Sequence, residues 1–83
     1  MKVHLKIEVG LKPTHNDPEG ETTANLLRGL GYDVEAVSVG KVYYVSLRTN
    51  SIPDAEIKAN RMCHEFLANP VKDNYSITIE VGP

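Results

Sequence analysis

Cysteine is nearly absent: Cys63 is the one example in 83 residues, so no intrachain disulfide framework exists. That usage fits a reducing cytoplasm. Long apolar runs are missing too. None approaches the ~20 residues of a membrane span, and the first residues alternate lysine and histidine with aliphatics where a signal peptide would be continuously apolar. There is no excess of basic charge. Net charge is −2, and the nine lysines and arginines are scattered from Lys2 to Lys72. A nucleic-acid binder concentrates such residues on one face to displace counterions. No Cys-x-x-Cys occurs, and the glycines match neither a phosphate loop nor a dinucleotide fingerprint. Repeats, low-complexity tracts and linkers are lacking. The chain therefore reads as a single domain over residues 1–83. A chain of that size buries only about 60% of its unfolded surface, enough for one thin two-layer core with little room for an enclosed pocket.

What is present is period. Val3, Leu5, Ile7, Val9 and Leu11 alternate with Lys2, His4, Lys6 and Glu8, which is a strand with one buried face. Residues 12–16 follow as a polar connection. Asp17-Pro18-Glu19 has the chemistry of a helix start: a capping carboxylate, a proline where its missing N–H costs nothing, and an acid in the first turn. Thr23, Leu26, Leu27 and Leu30 form that helix's apolar stripe, and Gly31 ends it. A second strand is expected over residues 33–39, with a bulge near Ala36, because Val34 and Ala36 share one parity while Val37 and Val39 share the other. Gly40-Lys41 reads as a hairpin turn. Residues 42–47 read as a central strand, apolar or aromatic on both parities. Ser51-Ile52-Pro53-Asp54 opens a second helix whose buried face would carry Ala55, Ala59, Met62, Cys63, Phe66 and Leu67. At ~100° per residue, Ile57, Arg61 and His64 fall on the opposite side. Asn69-Pro70 closes it, and Tyr75, Ile77, Ile79 and Val81 alternate as a last strand.

The order β-α-β-β-α-β, with right-handed crossovers, predicts an α+β ferredoxin-like sandwich: a four-stranded antiparallel sheet with both helices on one face. That superfold hosts many functions, so function must come from sites. Few are visible. His4, His15 and His64 lack metal-ligand spacing and read as surface histidines, so neither a metal nor a cofactor is expected. Cys63 sits in an apolar stripe and reads as a small core residue. Asp17, Glu19 and Glu21 could hold a cation, but helix capping accounts for them. Tyr43 and Tyr44 could stack nucleobases, yet the glycine-aromatic pattern and basic surface of RNA-recognition modules are absent, and only one of two adjacent strand residues can face the open side. No catalytic residue is identified.

A protein without chemistry acts through its surface, and several positions are candidates for a partner interface. Lys12, Asp17, Pro18, Glu19 and Gly20 lie on a connection longer than a strand-to-helix link requires. Gly40 and Lys41 offer a cation at a hairpin tip, and Tyr44 an aromatic on the open sheet face. Ile57, Arg61 and His64 form a small mixed patch on the second helix.

The run Asp17-Pro18-Glu19-Gly20, then Leu30-Gly31 and Val37-Ser38-Val39-Gly40-Lys41, resembles the PurS family. So does Met62-Cys63-His64-Glu65-Phe66-Leu67-Ala68-Asn69-Pro70-Val71, followed by Tyr75 and Glu80; Thr22-Thr23 and the short ending at Pro83 depart from the pattern. The resemblance implies an accessory subunit of phosphoribosylformylglycinamidine synthase. In that ligase a glutaminase subunit releases ammonia, and a synthetase subunit uses ATP to add it to formylglycinamide ribonucleotide. The PurS-type subunit would join the two, support ammonia transfer and self-associate as a dimer or tetramer, with no nucleic acid or membrane partner. The competing readings are an ACT-like regulatory domain binding a small molecule at a dimer interface, a small nucleic-acid module, and an acylphosphatase-like enzyme.

Overall fold

The computed structural model describes residues 1–13 and 15–83; Thr14, within the expected connection over residues 12–16, lies outside the described residues. Strict alternation in β1 (Lys2–Leu11) drives Val3, Leu5, Ile7 and Val9 into the core, where all four are buried. β1 is followed by α1 (Pro18–Gly29), β2 (Gly40–Arg48), α2 (Ile52–Met62), a π-helical turn (Cys63–Leu67) and β3 (Asp73–Val81). The sheet has three strands among the described residues, in the order β2-β1-β3, and both pairings are antiparallel. Leu5 faces Val45 on one side and Ile79 on the other, so the three strands turn their apolar parities to the same face.

Three expectations are corrected here. Residues 32–39 contain no strand, so the fourth strand and its bulge near Ala36 are absent. The strand over 42–47 is consequently an edge, and β1 is central. Tyr43, Val45 and Leu47 pack on the core from β2, while Val42 and Tyr44 are exposed, Tyr44 on the open face as expected. Gly40-Lys41 is no hairpin tip either, since both residues already belong to β2 and pair with Gly10 and Val9.

α2 begins as expected. The Ser51 hydroxyl accepts the Asp54 amide at 3.2 Å, and Pro53 occupies the first turn. Its buried positions are Ala55, Ala59, Cys63 and then Ala68, a spacing of four, four and five. The last step is the π turn, closed by the Ala68 amide donating to the Cys63 carbonyl at 2.9 Å. One extra residue in a turn rotates everything after it by about 100°. Phe66, expected on the buried face, is therefore thrown outward and is 86% exposed, while Ala68 takes the inner position.

α1 ends at Gly31, where φ is +97° and the Tyr32 and Gly31 amides return to the carbonyls of Leu27 and Arg28. It does not cover the sheet. Its Ala24 is buried, but none of its side chains joins the main core cluster, and of the expected stripe Leu26 is 67% and Leu30 76% exposed. α1 and the segment after it form an arm beyond the end of the sheet. The chain measures 51 × 28 × 14 Å with a radius of gyration of 16.3 Å; a compact chain of this length would have about 12 Å. Of the two helices, α2 alone lies on the sheet's inner face. That corrects the sandwich with both helices on one face.

Candidate partner interface

The arm is joined to the sheet by one carboxylate. Asp17 Oδ1 accepts the Gly20 amide at 2.9 Å, capping α1, while Oδ2 accepts the Val39 amide at 2.8 Å from the returning segment. These two amides, Gly20 first, hold the Asp17 carboxyl below its ordinary value of 3.8. Further along, the Arg28 guanidinium donates to the carbonyls of Val34 and Glu35 at 2.8 and 2.7 Å, and to Asn25 Oδ1 at 3.0 Å. Arg28 thus binds the return segment to the helix, taking backbone acceptors that a neighbouring strand would otherwise use. Gly20 is buried in the first turn, so it cannot be a surface contact as expected. Asp17 is half-buried and its two oxygens are committed internally.

Glu19, Gly40 and Lys41 come together at this end of the molecule, around a depression of about 220 Å³ also lined by Leu67, Lys72 and Asp73. Lys12 lies beside it: its Nζ donates to the Pro70 carbonyl at 3.1 Å and its amide to the Lys72 carbonyl at 2.7 Å. The Asn69 side chain shapes the adjoining turn by accepting the Val71 amide at 2.9 Å. Pro18 is exposed at the first helical position. Lys41 forms no ion pair among the described residues, so its ammonium is available to a partner anion.

The remaining candidates lie elsewhere. Tyr44, 78% exposed, stands on the open sheet face opposite Lys6, which pairs with Glu8 at 3.4 Å. Ile57, Arg61 and His64 are all exposed on the outer side of α2 and the π turn, with Arg61 reaching Glu65 at 3.3 Å. Two groups thus emerge, one at the arm end of the sheet and one along α2, with Tyr44 apart from both. Sequence reasoning missed Phe66 and Val71, two exposed apolar side chains. A 3.6-residue template turns Phe66 inward; the only signal against it is Ala68, five residues after Cys63.

Among the described residues no three His, Cys, Asp or Glu side chains are grouped to hold a metal ion, and no helix is long and apolar enough to cross a membrane. His4 is spanned by Ser46 Oγ and the Pro83 carbonyl, each at 3.1 Å, and Cys63 is a buried thiol whose pKa burial raises.

A family model described as PurS, phosphoribosylformylglycinamidine (FGAM) synthase, matches residues 4–81. The chain is similar to the phosphoribosylformylglycinamidine synthase subunit PurS of Archaeoglobus fulgidus, with 42% identity over 72 residues, 86% of this chain and 90% of that protein. Its fold is similar to Thermus thermophilus PurS, with a TM-score of 0.86 and 32% identity, all of both chains being covered. It is also similar to a chain of the solved PurLQS from Thermotoga maritima, with a TM-score of 0.88 and 26% identity over 96% of this chain and 99% of that one.

Proposed function

The chain belongs to the PurS family and is a subunit of phosphoribosylformylglycinamidine synthase, a ligase of purine biosynthesis, and we propose that within it the chain joins the glutaminase and synthetase subunits and supports the passage of ammonia between them. The observation that carries this reading is the similarity, over nearly the whole chain, to one chain of a solved PurLQS. The protein contributes no catalytic residue. It acts in the cytoplasm, by contact, with the two larger subunits and with copies of itself. Family membership sets aside the ACT-like reading.

The docking map has two parts. The arm-end surface of Glu19, Lys41 and Lys72 supplies fixed charge, and α2 with the π turn supplies the exposed Ile57 and Phe66 together with Arg61 and His64. An apolar centre with a charged rim is the usual anatomy of a protein interface. Tyr44 adds an aromatic anchor on the open face. The free outer edge of β2 carries unpaired ladder groups, and the four-stranded ferredoxin-like sheet is completed there on assembly.

Reconstitution tests the assignment. Purified alone, the protein should neither hydrolyse glutamine nor consume ATP with formylglycinamide ribonucleotide present. Added to the synthetase and glutaminase, it should restore glutamine-dependent turnover, and ammonia-dependent synthesis should need it much less. Equal glutamine-dependent rates with and without it would show the reading to be wrong.

A further inference from the structure

Like charges directly opposite each other on neighbouring strands repel and destabilise a sheet. The end of the sheet away from the arm carries such a pair. In the β1–β2 register Lys2 stands across from Arg48, and both side chains are exposed. Neither has an ion-pair partner among the described residues, whereas Lys6 on the same strand pairs with Glu8 at 3.4 Å. Nothing inside the chain compensates the repulsion.

The turn from β2 into α2 gives the pair a shaped setting. Lys2, Arg48, Asn50 and Lys58 line an open depression of about 440 Å³, with buried Thr49 in its wall. The Thr49 amide donates to the Met1 carbonyl at 2.9 Å, which joins the ends of the two strands there. Three cations and no acid line the depression. Of the three, Lys58 alone has a partner: Asp54 at 2.9 Å, whose carboxylate also accepts the Thr49 hydroxyl. Roughly 23 Å of strand separates this place from Lys41 at the arm end, so it belongs to neither docking group described above.

The local charge sets the chemistry of what covers it. The whole chain carries −2, which disfavours a long polyanion such as a nucleic acid. A free anion is held best in an enclosed site with buried polar groups; here the depression is open, and Lys2 and Arg48 are exposed. An acidic protein surface suits it better. Such a surface brings carboxylates already fixed in place and complementary to a broad positive patch. The Arg48 guanidinium can hold one carboxylate through two parallel bonds, and the Lys2 ammonium can hold another.

We propose that this basic depression docks an acidic surface of one of the two larger subunits, whose carboxylates take Lys2 and Arg48. The contact relieves the cross-strand repulsion as it forms, so assembly removes a strain that the separate chain carries. It rests on the functional reading above and adds a third contact to the docking map.

Lys2→Glu and Arg48→Glu, made separately, test it. Each turns a repulsive cross-strand pair into an attractive one between exposed side chains. The purified variants should therefore melt higher than the parent, by roughly 2–8 °C. The same variants should weaken assembly with the synthetase and glutaminase roughly 10-fold or more, read as the concentration needed for glutamine-dependent turnover. Added sodium chloride should loosen assembly of the parent and affect the variants less. Inorganic phosphate should compete no better than chloride at the same ionic strength. Variants that melt higher yet assemble like the parent would overturn the docking surface and leave the functional reading intact. Variants that melt lower would remove the repulsion on which the inference stands. Strong competition by phosphate would replace the acidic protein surface with a free anion. A parent that fails to assemble with the large subunits would overturn the functional reading itself.

Discussion

Gly20 is buried in the first turn of α1, where a Cβ would come within 2.2 Å of the Val37 carbonyl oxygen. Alanine is about 1 kcal/mol better than glycine in a helix interior. The clash is with backbone, however, and no side-chain rotation relieves it. We expect Gly20→Ala to destabilise by about 1–3 kcal/mol, read as a fall of roughly 4–8 °C in Tm per kcal/mol. Asp17 gives a second prediction. Its carboxyl is lowered by the Gly20 and Val39 amides, and that of Asp54 by the Thr49 hydroxyl and then Lys58, whose ammonium lies 2.9 Å away. Groups that titrate lower when folded than when unfolded stabilise the fold fully above the unfolded value of 3.8, and lose that contribution as pH falls below it. Thermal melts should be flat from neutral pH to about 5 and fall steeply below about 4. Asp17→Asn should melt lower at pH 7 and show a shallower acid slope. An unchanged slope would show that the clamp is not formed in solution.

The π turn decides which side of the second helix faces solvent. Were the helix regular to its end, Phe66 would be core and Ala68 would lie outside. The structure has Ala68 buried at 8% exposure. Phe66→Asp should therefore change stability by less than about 0.5 kcal/mol, whereas Ala68→Asp, which buries an unpaired carboxylate, should cost several. Denaturant titration distinguishes the two, and the reverse order would restore the regular helix. The segment over 33–39 makes a related point about elements. Its valines alternate imperfectly, and Val34, Val37 and Val39 are half-buried beside α1 without a ladder. A run of valines records a preference for partial burial on an extended backbone, and either a helix or a strand can be the neighbour that provides it.

At the scale of the whole molecule, the two docking groups can be tested separately. Lys41→Glu reverses an unpaired charge at the arm end, and Ile57→Asp breaks the apolar centre on α2. Neither side chain is buried, so folding should survive. Titrated into the synthetase and glutaminase, each variant should weaken apparent assembly by about 1 kcal/mol, roughly fivefold in the concentration needed for glutamine-dependent turnover. Added salt should weaken the parent and leave Lys41→Glu less affected, because an exposed charge is screened. If both variants assemble like the parent, the docking map is wrong while the family assignment stands. Seven of the eleven interface candidates were gathered at one end of the molecule by the fold, but Gly20 and Asp17 turned out to work inside the chain. A loop's sequence reports that it is long and polar. It does not report which of its groups face inward.

By itself the sequence determined the three paired strands, both helix starts, the glycine end of α1 and the family. Each depends on contacts within a few residues or on a pattern of residue types along the chain. Alternation in β1, the Asp17 and Ser51 caps and the Gly31 turn are local physics, and they appear where the residues predict them. Only the tertiary structure decided where α1 goes, which strand is central, and that Phe66 faces out. Those are questions of which surface finds which partner across the fold. An amphipathic helix carries the demand for an apolar partner in its sequence, but not which surface meets it, and within the chain Leu26 and Leu30 stay exposed. The Asp17 clamp, which holds Val39 to the helix one residue before the ladder begins, turns them away from their own sheet.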